Sequence, residues 1–273
     1  MNDSTLHTHL SPLSPLLGPD DPPPFQLLNP HSKAPLILVC DHASNAIPRG
    51  LQQLGLSATE LSQHIAWDIG AAELTQRLAA RLNAVAVLGG YSRLIIDCNR
   101  PPGDPTSIPE ISDGIVIPGN QNLSDLHAEQ RSETFFWPYH HAITNAYAHI
   151  WRHGLAPALI AIHSFTPQLQ NGTPRPWHVG LLWNRDPRLV EPILQRLQAD
   201  ADLCVGDNVP YSGRDVGFTM ETHAGAAGLP HVEFEIRNDL LASEAAWEQW
   251  ANRLADLLQA VLADQSIHSV VHY

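Results

Sequence analysis

Five apolar residues, Leu36 to Cys40, run without a polar interruption between Pro35 and Asp41. A segment that short and that apolar fits a strand buried on both faces, which demands a mainly parallel sheet with helices packed on either side. Further strands are read at Val85 to Leu88, Leu94 to Cys98, Ala158 to Ile162, His178 to Trp183 and His231 to Ile236. Helical patterns lie between them. Ser57 and Glu60 have capping-box spacing and open a short helix. Leu74, Leu78 and Leu82 repeat at helical intervals over Ala71 to Leu82. Ser124 opens a long pattern that ends at Gly154 and that Pro138 should kink or split. Asp186 followed by Pro187 reads as an N-cap and a favourable first-turn proline for a helix reaching about Ala199. Ser243 to Leu262 places Trp247, Trp250, Leu254, Leu257, Leu258 and Val261 along one face. Strands alternating with helices predict an α/β fold: a single domain with a mainly parallel or mixed central sheet and helices on both faces.

Two parts of the chain fall outside that alternation. Residues 1–35 hold eight prolines and almost no periodicity, so they read as an N-terminal arm preceding a catalytic domain over 36–273. Residues 101–123 and 208–228 read as long loops, of the kind that shape a binding site. Lys and Arg number 15 against 28 Asp and Glu, a formal net charge of -13, and no basic run offsets it. Nucleic acid and anionic membrane surfaces are therefore excluded as expected partners. Lys33 is the only lysine; the remaining cations are arginines, which grip carboxylates in a bidentate fork. Cys40, Cys98 and Cys204 have no spacing suited to a disulfide framework or a cysteine metal site. With no apolar run of spanning length and no basic stretch ahead of Lys33, a cytoplasmic monomer or homodimer is expected.

The chemistry gathers where apolar runs end. Asp41, His42, Ser44 and Asn45 follow the first run directly, and His163 follows Ala158 to Ile162. Open α/β sheets place ligands beyond the carboxyl ends of their strands, and neutral imidazole is a common zinc ligand, so His42 and His163 form a candidate metal pair. Asp68 stands ahead of the helix at Ala71, where the plain reading is an N-cap.

The ordered motifs CDHASNAIP, HIAWDIGA, YSRLIIDCNRP, SDGIVIPGN, FWPYHHAI, IAIHSFTP, NVPYSGRD and VEFEIRNDL span about Leu36 to Leu241. Taken together they resemble the N-formylglutamate amidohydrolase family, and more distantly the zinc carboxypeptidase and succinylglutamate desuccinylase group. The resemblance implies a phosphorylase/hydrolase-like α/β fold and a zinc-dependent amide hydrolase. Its substrate would be a small acidic N-acyl amino acid such as N-formyl-L-glutamate. Alternatives are a related deacylase for another N-acyl amino acid or small peptide, and a non-catalytic metal- or ligand-binding homologue. CDHASN replaces the shorter P-H-S-G of many deformylases, which leaves the chemistry better marked than the substrate.

Carried over by position, His42 and His163 would be zinc ligands. The third ligand is Asp68 or Asn45, and the neutral amide of Asn45 is the poorer donor. Glu235 matches the family's E-x-R position and would act as general base, with Glu233 two residues away on the same strand face as the alternative. Arg100 and Asn99 would hold the substrate carboxylate. Arg93 and Arg237 are further candidates, and His140 or His141, Asn208 and His223 would line the pocket.

Overall fold

The computed structural model describes residues 14–273. The start of the proline-rich arm, residues 1–13, lies outside the described residues. The elements are β1 (Phe25–Leu28), β2 (Leu36–Cys40), α1 (Ala58–Leu61), α2 (Ala71–Leu82), β3 (Val85–Gly89), β4 (Ile111–Ser112) and β5 (Ile115–Val116). They continue with α3 (Asp125–Arg131), α4 (Trp137–Trp151), β6 (Ala158–Phe165), β7 (Val179–Leu182) and α5 (Val190–Gln198). The last are β8 (Val205–Asp207), α6 (Phe218–His223), β9 (His231–Arg237) and α7 (Glu244–Leu262).

Seven strands form one mixed sheet in the order β1-β3-β2-β6-β9-β7-β8. Strands β3, β2, β6 and β9 are parallel, whereas β7 runs antiparallel to β9 and β1 antiparallel to β3. The uninterrupted apolar run of β2 now has its reason. Leu36, Leu38 and Cys40 pack with α2, α5 and α7 on one face, while Ile37 and Val39 pack with α4 on the other. Successive side chains alternate across the sheet, and both faces are covered.

Most local signals act as expected. Ser57 and Glu60 form the reciprocal capping box of α1, and the hydroxyls of Ser124 and Ser243 cap α3 and α7. The long helical pattern breaks through a π-helical turn at Ser132–Phe136, with Pro138 in the first turn of α4.

Four expectations are corrected. Leu94 to Cys98 is not a strand. Leu94, Ile95 and Ile96 are buried in turns against Leu54, Leu61 and Phe136. Their backbone carbonyls are satisfied by side chains instead of a ladder: Asn120 Nδ2 donates to Leu94 O and Arg131 Nη1 to Ile95 O. Phe25–Leu28, within the expected arm, is a sheet strand paired with β3. The loop over 101–123 contains the β4–β5 hairpin, and the loop over 208–228 contains α6. Asp186 does not cap a helix; its carboxylate accepts from the backbone and guanidinium of Arg188, and α5 starts at Val190. Among the described residues no helix is long and apolar enough to cross a membrane.

Candidate active site

Asp41 and His42 leave the carboxyl end of β2, His163 lies on β6, and Glu233 and Glu235 lie on β9. The β6–β9 register sets His163 opposite Glu235 and Ala161 opposite Glu233. Because β9 is an interior strand, both glutamates are buried, which excludes solvent-facing positions on a sheet edge.

Asp68 reaches the same point from the turn before α2. Its N–H donates to His42 O at 2.9 Å, and Gly70 caps α2 in the left-handed region at φ 81. A Cβ at Gly70 would collide with Leu241, so glycine is required there on two counts. The Asp68 carboxylate does not cap the helix. Its Oδ2 lies 3.3 Å from His42 Nδ1 and 2.8 Å from His163 Nδ1.

Each imidazole is held from behind by another carboxylate. His42 Nε2 lies 2.7 Å from Asp97 Oδ1, and His163 Nε2 lies 3.0 Å from Asp41 Oδ2. Those carboxylates are fixed in turn: Thr219 Oγ1 donates to Asp41 at 2.6 Å, and Arg93 Nη2 and Asn99 N donate to Asp97 at 2.6 and 2.8 Å. Burial works against ionising these groups, but in the absence of a cation mutual pairing outweighs it. Asp68 and Asp97 are held well below the usual carboxylate range, chiefly by His42 and by Arg93 respectively, and both histidines are raised.

This donor set fits a divalent metal. Ligand atoms of His42, Asp68 and His163 all lie within 4.8 Å of one another. Two imidazole nitrogens and one carboxylate oxygen are a zinc-type donor set, and a carboxylate behind each imidazole is the arrangement that fixes its tautomer. Asn45 is not among the residues lining the cavity, and its Nδ2 donates to Leu61 O. His163, Glu233 and Glu235 form a second such group. Both nitrogens of His163 are already committed to Asp68 and Asp41, so the two groups compete for it.

Glu235 differs from the other acids. Burial pushes it up to about 8, and its Oε2 is buried without a partner. Burial raises Glu233 as well.

A cavity of about 170 Å3 brings His42, Asp68, His163, Glu233 and Glu235 together with Arg93, Asn99 and Arg100. Arg93 is engaged by Asp97 and lies 3.7 Å from Asp68 Oδ1. Arg100 has no acidic partner within salt-bridge distance among the described residues and is half-buried at the wall.

The other expected pocket residues stand elsewhere. His140 stacks on His223 with ring centroids 5.1 Å apart and binds Cys98 O, outside the cavity lining. Asn208 accepts from the N–H groups of Trp183 and Gly213, Arg237 pairs with Asp239, and His141 is exposed. Asp41, Asp97, His64 and Tyr211 are additions. The first two carried a signal, a carboxylate flanking the end of an apolar run, but nothing in the spacing says which imidazole nitrogen each meets.

A family model described as N-formylglutamate amidohydrolase matches residues 34–242. The curated proteins include no significant match. Gene product Atu2144 from Agrobacterium tumefaciens is a similar solved structure at 35% identity, covering 93% of this chain and 100% of its own, with TM-score 0.88. N-formylglutamate amidohydrolase from Ralstonia eutropha JMP134 is 19% identical over 88% of this chain and 97% of its own, with TM-score 0.64, a likeness of fold. The matched stretch contains every residue of the cavity named above, from His42 to Glu235, and the chain belongs to the N-formylglutamate amidohydrolase family.

Proposed function

We propose that this protein is a zinc-dependent amidohydrolase that cleaves the formyl amide of an acidic amino acid, with N-formyl-L-glutamate as substrate. The observation that carries the reading is the convergence of His42, His163 and Asp68 beside a buried Glu235 oxygen that has no partner. A structural ion-pair cluster gains nothing from an orphaned carboxyl oxygen, whereas a site that receives a proton during reaction needs one.

His42, His163 and Asp68 would hold the metal. Asp97 and Asp41 keep each Nε2 protonated, so that both Nδ1 lone pairs turn inward. A zinc ion bound there supplies Lewis-acid activation of water and of the amide carbonyl at neutral pH. Glu235 is placed to take the proton of the attacking water and pass it to the departing amine, since its Oε2 is buried at the cavity without a partner and the charge of a bound cation would favour its ionised form. The C–N bond then breaks to give formate and L-glutamate. Arg100 offers its guanidinium to a substrate carboxylate, and Asn99, whose Oδ1 accepts from Thr219 N, keeps an amide N–H2 for the same wall. The cavity volume favours a small acyl group.

The test is metal analysis joined to formate release from a panel of N-formyl amino acids. About one zinc per chain is expected, with most of it lost in His42→Ala or His163→Ala, and the acidic substrates should turn over best. Full metal content in both variants would remove the metal assignment. No formate from any member of the panel with metal-loaded protein would remove the activity.

A further inference from the structure

Arg175 lies behind three residues of the cavity wall and lacks an acidic partner within salt-bridge distance among the described residues. Its Nη1 donates to Thr166 O at 3.3 Å and to the Tyr211 hydroxyl at 3.1 Å. Its guanidinium carbon stands 5.0 Å from the Tyr211 ring centroid and 5.9 Å from that of Phe165. Phe165, Thr166 and Tyr211 all line the cavity. One nitrogen of the fork is thus used, while Nε and Nη2 have no protein acceptor among the described residues. A half-buried guanidinium stacked on aromatic rings with free N–H groups is prepared for a carboxylate.

The mount is rigid. Arg175 N donates to Pro167 O at 2.8 Å, and Arg237 Nη1 donates to Arg175 O at 3.2 Å. The loop between is tied to the β4–β5 hairpin, where Gln170 N donates to Asp113 Oδ2 at 3.1 Å. Because the Tyr211 oxygen accepts from Arg175, its own proton remains to donate beside the guanidinium. The charge of Arg175 is felt inside the site, since it adds to burial in lowering His64, a lining residue that pairs with the same Asp113.

The cavity holds Asp68, Asp97, Glu233 and Glu235 in a chain of net charge -13, so each carboxylate of an anionic ligand requires its own cation. Arg93 is occupied by Asp97, and Arg100 provides for one carboxylate. We infer that Arg175, with the Tyr211 hydroxyl, is the specificity-determining pair that receives the second carboxylate of a dicarboxylic substrate. This rests on the proposed function for the identity of the reaction, and on geometry for the recognition.

The test separates the two. Binding of glutarate and of butyrate, the same chain with one carboxylate fewer, is measured by titration calorimetry on metal-loaded wild type, Arg175→Met, Arg175→Lys and Tyr211→Phe. Wild type should prefer glutarate, and Arg175→Met should reduce that preference about 10- to 100-fold while butyrate binding stays unchanged. Arg175→Lys should retain part of the preference, because it keeps the charge and loses the fork. Butyrate binding also reports that each variant is folded at the site. Equal weakening of both ligands, or no glutarate preference in wild type, overturns the inference. In parallel, kcat/KM is compared for N-formyl-L-glutamate and N-formyl-L-glutamine. Turnover of both with unchanged discrimination in Arg175→Met overturns the inference and leaves the activity standing. Glutarate preference that depends on Arg175, without formate release from either compound, supports the recognition pair and overturns the activity.

Discussion

Glu235 and Glu233 share a strand, a face and a cavity, yet only Glu235 has a buried oxygen without a partner. Glu235→Gln preserves shape and removes the ability to take a proton. Its kcat should fall about 10²- to 10⁴-fold with metal content and KM little changed. Glu233→Gln in the same assay should cost much less. A large loss at Glu233 alone would move the base by two residues, and loss of metal in either variant would make that residue a ligand. Asp41 and Asp97 show why part of the site was hidden. His42 and His163 stand out in the sequence because each interrupts an apolar run. The carboxylates behind them are 55 and 122 residues away along the chain, and only the fold decides that Asp97 serves His42 and Asp41 serves His163.

At the level of elements, α4 and α6 meet through His140 and His223. His140 Nε2 donates to Cys98 O, so its Nδ1 accepts from His223 Nε2 at 2.8 Å, a chain that requires a neutral His140 ring. Burial and the neighbouring His140 lower His223 to about 4, and burial lowers His140 as well. A histidine whose folded pKa lies below its unfolded value leaves stability intact above about 6.5; the loss then accrues as pH falls toward 4. The His223 share is about 2 kcal/mol once its partial exposure is allowed for. Thermal midpoints taken across this range should fall more steeply in wild type than in His223→Gln, whose amide still donates to His140. Parallel profiles would show that the pair does not titrate as described. The elements also differ in how far they could be read. Strand β2 follows from its uninterrupted apolar run and helix α7 from its periodicity, since their burial is set by the sheet and its covering helices. Leu94 to Cys98 looked the same in composition, but Arg131 and Asn120 satisfy its backbone from beyond any local window.

For the molecule as a whole, the sheet has to end somewhere, and on one side it ends at β1. Strand β3, Val-Ala-Val-Leu-Gly, is uncharged and buried throughout, and Phe25–Leu28 occupies its outer hydrogen-bonding edge. That cover is fastened by Tyr91 Oη donating to Pro22 O at 2.5 Å and by Asn29 Nδ2 donating to Ala79 O at 2.9 Å. Prolines at 22–24 and 30 bracket β1 closely, so the edge it presents in turn is only four residues long. The strand lies ahead of residue 34, where the family match begins. Its consequence concerns self-association: an uncovered, uncharged edge is a template for pairing with another chain. Removal of residues 1–31 should leave the cavity residues in place and yield protein that grows in mass with concentration by light scattering, relative to the full chain. Equal scattering from both would mean that β3 needs no guard, and that the prolines around β1 do not serve to keep one molecule's sheet from continuing into the next.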